Sequence, residues 1–147
     1  MKKFLSCLAV FMCAIVLTGC GDKSMTCEGD MTESGVTANV KVTGDFSGDK
    51  LTKQTIQMEF DLTNYLQYAD IDTFYESFKT QYAQFDEYEG ITTDVTEGSS
   101  SIIVVMEVDL DKVDEKTYKE LDLGSGDLEV SSKAFKKEFV DMGFTCK

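Results

Sequence analysis

Val36-Thr37-Ala38-Asn39-Val40-Lys41-Val42-Thr43 alternates apolar and polar residues without a break, and Ile56-Gln57-Met58-Glu59-Phe60-Asp61-Leu62 repeats the pattern after an intervening Ser47-Gly48-Asp49-Lys50. A period of two is the signature of a strand buried on one face. The small and polar residues between the two runs are a turn signal, so the pair predicts an antiparallel hairpin with a single apolar face. Ser24 to Met31 is expected to pair ahead of it across Thr32-Glu33-Ser34-Gly35, which makes a three-stranded meander.

Beyond Leu62 the period changes. Ile71, Phe74, Tyr75, Phe78, Tyr82 and Phe85 fall at helical spacing and make one aromatic stripe. Asp70 or Asp72 can cap the start, and Gly90 can close the end. Such a stripe is expected to pack on a sheet rather than to line a ligand cleft. Ile91, Thr93 and Val95 then precede a Glu97-Gly98-Ser99-Ser100 turn. Ile102, Val104, Met106, Val108 and Leu110 line one face of a long strand, and Ile103 and Val105 predict a covered second face in its middle. Asp114 to Leu121 reads as a short helix. A last helix, capped by Ser131 or Ser132, turns Ala134, Phe135, Phe139 and Met142 inward and ends at Gly143. The fold class expected is α+β: a two-layer sandwich, its largely antiparallel sheet covered by two main helices.

Composition narrows the function. The 147 residues hold 14 Lys, 27 acids, and no His, Trp or Pro, for a net charge of −13. Such a charge disfavours nucleic acid, whose binding rests on cations. Lack of His removes the commonest general base and most zinc sites. A hydrophobic fraction of 42% argues for a folded core rather than a disordered acidic tail.

Lys2 and Lys3 precede an apolar run from Phe4 to Leu17, too short for the roughly 18–20 residues of a bilayer span and suited to a secretory signal. Leu17-Thr18-Gly19-Cys20 follows, and resembles the lipobox of bacterial lipoproteins, where the Cys thiol takes a diacylglyceryl group and the chain is cut before it. The expected organisation is a signal peptide at 1–19, a lipidated (palmitate-bearing) Cys20 and short polar tether at 20–26, and one α+β domain at 27–147. Residues 1–19 hold two Lys and no acid, so without them 12 Lys face 27 acids and the charge is −15.

Of five cysteines, Cys7 and Cys13 lie in the signal segment and Cys20 is the lipid site. Cys27 and Cys146 remain, one near each end of the domain. Outside the reducing cytosol they read most simply as one disulfide. A redox pair or two free thiols is the rival reading, although no CxxC spacing is present. A bridge would set the first strand beside the carboxyl tail.

The lipobox, Thr26-Cys27-Glu28, Ser34-Gly35-Val36, the run Gly48-Asp49-Lys50-Leu51-Thr52-Lys53-Gln54-Thr55 and the closing Gly143-Phe144 together resemble the YehR-like family of small bacterial lipoproteins, whose function is unknown. The resemblance implies a two-layer α/β fold. It carries over no catalytic or binding residues.

Carboxylates crowd Asp109, Asp111, Asp114 and Glu115, and again Asp86, Glu87 and Glu89. Asp122 to Glu129 has oxygens and glycines but not the spacing of a calcium loop. Sugar hydrolysis would need a cleft usually rich in Trp. No catalytic residue, metal site or cofactor is therefore expected. The expectation is a monomeric, extracytoplasmic lipoprotein held to the cell membrane through Cys20. It would act as a non-enzymatic accessory or binding module for a cationic or cell-envelope protein. The alternative is a small envelope hydrolase or metal-binding protein using surface carboxylates.

Overall fold

In the computed structural model, which describes residues 22–33, 36–121, 123 and 128–147, each alternating segment is a strand. The strands are β1 (Asp22–Glu33), β2 (Val36–Ser47), β3 (Lys50–Asp61), β4 (Ile91–Glu97), β5 (Ser101–Asp109) and β6 (Thr145–Cys146). They form one antiparallel sheet in the order β4-β5-β3-β2-β1-β6. The helices are α1 (Ile71–Ala83), α2 (Glu115–Glu120) and α3 (Ser132–Asp141), with a 3-10 turn at Gln84–Glu87. The expected signal segment and Cys20 lie outside the described residues, as do Ser34-Gly35 in the first turn and most of the Asp122–Glu129 loop.

The meander forms as the alternation requires. Ala38, Val40, Val42 and Phe46 of β2 are buried, and Ile102, Val104, Met106 and Val108 of β5 join them on the same face. A β-bulge near Asp45/Phe46 adds Thr52 to β3 and shifts its phase, so Leu51 turns inward along with Gln54 and Ile56. Gly44 is required here by close approach: a Cβ on it would meet Leu51 Cδ1 at 2.8 Å and the Phe135 ring at 3.0 Å. Gly90 (φ 83°) and Gly143 (φ 92°) occupy the left-handed region, where glycine alone is unstrained.

Three expectations need correction. Asp22–Thr26 is not tether but the start of β1, paired with Ser47–Thr43 of β2. The three expected helices all form, and six-residue α2 buries Tyr118, 1% exposed, against β3. Ile103 and Val105 are half-exposed, because the described elements place polar partners such as Gln57, Glu59, Asp94 and Thr96 beside them instead of a second cover. Met142 is 59% exposed and Ala134 is exposed too. The inward stripe of α3 is Phe135 and Phe139, and the turn at Gly143 then brings Phe144 inside in place of Met142.

Gln54 is the one buried polar side chain among the described residues. The Tyr118 hydroxyl donates to its Oε1 (3.0 Å), and its Nε2 donates to the Leu123 carbonyl (3.1 Å). Burial pushes the Tyr118 phenol up to about 12, and the Glu138 charge adds to the effect. Asp114 caps α2 by accepting from Thr117 N (2.9 Å), and Ser131 caps α3 by accepting from Ala134 N (3.2 Å).

Cys27 and Cys146 are joined by a disulfide with Cα atoms 4.0 Å apart. Thr26 and Lys147 exchange both backbone hydrogen bonds (3.1 and 2.8 Å), so the neighbouring Cys pair occupies the closer, non-hydrogen-bonded register.

Two stability predictions follow from these contacts. Replacing both cysteines by Ser removes a cross-link between residues 119 apart and should cost about 2–5 kcal/mol; an unchanged urea midpoint would refute a stabilising bond. Tyr118→Phe leaves Gln54 Oε1 without its donor and should cost about 1–3 kcal/mol at neutral pH. The folded phenol titrates above an exposed one, so its contribution is complete below about pH 10 and is lost as pH rises to about 12. Alkaline denaturation curves of the wild type should therefore fall more steeply across that window than those of Tyr118→Phe.

Candidate functional site

The two long helices do not meet over the sheet. α1 packs on β4 and β5, at one end of the strand order, and α3 packs on β1, β2 and β6, at the other. Between them an apolar groove of about 680 Å³ stays open. This volume falls within the usual range of ligand sites. Met31, Ala38, Val40, Met58 and Phe60 form its floor, and Phe78, Gln81 and Tyr82 of α1 form its wall.

The aromatic stripe of α1 explains the opening. None of its residues is fully buried; Phe74, Phe78, Tyr82 and their neighbours are half-covered. Phe78 meets Phe60 edge-on with ring centroids 4.8 Å apart and stacks on Tyr82 at 6.1 Å. Thr93 Oγ1 donates to the Tyr82 carbonyl (3.2 Å) and ties the helix end to β4. The stripe thus packs on the sheet by one edge and lines a cleft with the other. Among the described side chains that line it, none is Asp, Glu or Lys.

The carboxylates singled out from sequence are engaged elsewhere. Asp109 pairs with Lys112 (2.8 Å) and accepts from Asp111 N (3.1 Å). Asp111 lies 3.8 Å from Lys50, and Glu115 pairs with Lys119. Asp86 accepts from both the backbone and the hydroxyl of Thr93. Hydrogen bonding lowers four carboxyl pKa values: Lys112 acts on Asp109, Thr117 on Asp114, Thr63 on Asp61 and Ser132 on Asp49. A general acid requires a shift in the opposite direction. Among the described residues no three His, Cys, Asp or Glu side chains are grouped to hold a metal. Cys27 and Cys146 are brought together, and Cys20 lies outside the described residues.

Sequence reasoning named Phe78 and Tyr82 but not the groove they border. Its floor was legible as alternation, whereas the gap above it depends on where each helix lands. The signal available in the sequence was Met31, an apolar residue in phase with Cys27; in the structure it is 54% exposed.

The opposite face of the sheet is polar. Near the end of β3 it carries a depression of about 450 Å³ lined by Asp30, Asn39, Glu59 and Asp61 among others, with no Lys.

No protein-family model matches the chain. It is 28% identical over 151 residues to the uncharacterized lipoprotein Lin0239 of Listeria innocua, covering 98% of this chain and 95% of the relative. It is 28% identical over 113 residues to the uncharacterized lipoprotein Lmo0207 of Listeria monocytogenes, covering 77% and 72%. The NMR structure of E. coli YehR superposes with a TM-score of 0.65 at 16% identity, covering 86% of this chain and 92% of YehR. An NMR structure of a Streptococcus pneumoniae TIGR4 protein gives 0.60 at 13% identity, covering 100% and 96%. The resemblance to the YehR-like small lipoproteins therefore holds: the chain has the YehR fold, and both Listeria proteins it matches are lipoproteins by name.

Proposed function

We propose that the chain is a lipoprotein anchored through Cys20 on the extracytoplasmic side of the cell membrane, where it serves as a non-enzymatic binding module. The open groove beside α1 carries this reading, because the described residues that line it are mostly apolar and none is charged. In this reading the domain is a two-layer α+β body with its ligand surface in the layer of helices. The Listeria relatives support the anchor, and no helix among the described residues is long and apolar enough to cross a membrane.

Strand direction adds an orientation. Cys20 precedes the first residue of β1 by two positions, a span of at most about 7 Å. Met31 lies nine residues further along the strand, about 30 Å away. The groove thus opens at the end of the domain far from the lipid and faces what lies beyond the membrane surface. Two acyl chains hold a protein firmly where one does not, so the domain would stay at that height.

Mass spectrometry of the mature protein should find a chain that begins at Cys20 and carries a diacylglyceryl group, absent in Cys20→Ala. A bare Cys20 or an uncut precursor defeats the anchor. Met31→Glu alters an exposed side chain and should leave stability within about 0.5 kcal/mol. It should also reduce Nile red fluorescence several-fold; undiminished fluorescence would show that the groove does not take apolar ligands.

A further inference from the structure

The groove ends at an uncovered strand edge. In β1 the backbone of Thr26 points away from β2, since it bonds Lys147 on the far side. By strand alternation Glu28, Asp30 and Thr32 point the same way. β6 pairs only with Cys27 and Glu28, and the chain enters it from the turn at Gly143 (φ 92°). Among the described strands none lies beyond β1 from Asp30 to Glu33. The outward N–H and C=O groups of Asp30 and Thr32 thus have no strand partner among the described residues. The opposite sheet edge is engaged over its first half, where Ile91 N donates to the Tyr88 carbonyl (3.2 Å), Asp86 accepts from Thr93 N (2.5 Å) and the 3-10 turn packs on β4. Proteins commonly protect such edges, and a free one is a template for pairing.

The two faces flanking this edge differ in chemistry. On the helix side lies the apolar groove with Met31 and Phe78. On the other lie Asp30, Glu59 and Asp61, with no Lys in the depression they line. We propose that the β1 edge from Asp30 to Glu33 docks an extended segment of a partner protein in which apolar and basic residues alternate. The segment adds a seventh strand, with its apolar side chains beside Met31 at the mouth of the groove and its Lys or Arg side chains beside Asp30, at the rim of the acidic depression. Strand addition takes affinity from backbone hydrogen bonds and specificity from alternate side chains. This rests on the binding-module reading and names the partner class.

The test uses the purified full chain in phosphatidylcholine nanodiscs and a fluorescein-labelled octapeptide alternating Val and Lys. The peptide should bind and slow hydrogen exchange at Asp30 and Thr32. An alternating Val and Glu peptide, and the Val and Lys peptide N-methylated at every second backbone nitrogen, should bind about tenfold more weakly or worse. Thr32→Pro removes an outward N–H at an edge position where Pro is tolerated, and should weaken binding by a similar factor. Asp30→Lys should do the same through charge, and serves if the Pro variant fails to fold. No binding, equal binding of the N-methylated peptide, or no effect of either substitution overturns the proposal. So does a dimer of the chain that Thr32→Pro dissolves, which assigns the edge to a second copy. Mass spectrometry of the same sample reads Cys20, so a bare Cys20 with peptide bound removes the anchor alone. A lipidated chain that ignores the peptide removes the docking alone.

Discussion

The covalent bond between Cys27 and Cys146 determines how much of β1 the rest of the chain covers. It fixes the carboxyl tail halfway along that strand, where only Cys27 and Glu28 find partners in β6. α3 must then reach the tail through Gly143, which lays Phe135, Phe139 and Phe144 over β1 and β2. Phe144 sits on Gly29 so closely that a Cβ there would come within 2.9 Å of its ring. Beyond that contact the strand continues to Glu33 with no described strand on its outer side. The same bond that closes one half of the edge leaves the other half open.

Helix placement makes the other wall of the groove. α1 follows β3 after a turn segment at 62–70 and lies over β4 and β5, while α2 and α3 cover the region around Tyr118, Leu51 and Phe46. The sheet is six strands wide, and the two long helices stand over its opposite ends. The strip of β1 to β3 between them keeps its apolar residues because the alternation of β2 and β3 continues past the last helix contact. The buried Gln54 and Tyr118 pair adds specificity at the covered end: a displaced α2 would leave hydrogen-bonding atoms of both residues unpaired in an apolar setting.

The large negative charge divides into two roles. Asp49, Asp109 and Asp114 cap or brace turns, and their depressed pKa values record hydrogen bonds that favour the ionised form. Such carboxylates stabilise the local backbone and lose that effect as pH falls through their folded pKa values. Asp30 and Glu59 stand on the polar face beside the β1 edge, with Asn39 donating to Asp30 (3.1 Å), and Asp61 does both, lining the same depression while accepting from Thr63 N (2.9 Å). Charge on that face favours a cationic partner at long range, and its salt dependence would follow ordinary screening.

Strand identity and the direction of each apolar face were legible in the sequence, because a period of two needs no partner to be read: Val36 to Val42 and Ile56 to Leu62 declare their buried side locally. The cap of α3 was legible down to Ser131 or Ser132, since a cap acts within three residues, whereas Asp70 at the start of α1 makes no side-chain cap bond. The pairing of Cys27 with Cys146 could be inferred by elimination, but its register on β1 could not. Tertiary packing alone decided that α1 would be half-buried, that Met142 would yield its inward place to Phe144, that Ile103 and Val105 would stay half-exposed and that Met31 would face an open groove. Each depends on the distance between elements far apart in sequence, and composition and periodicity carry no measure of that distance.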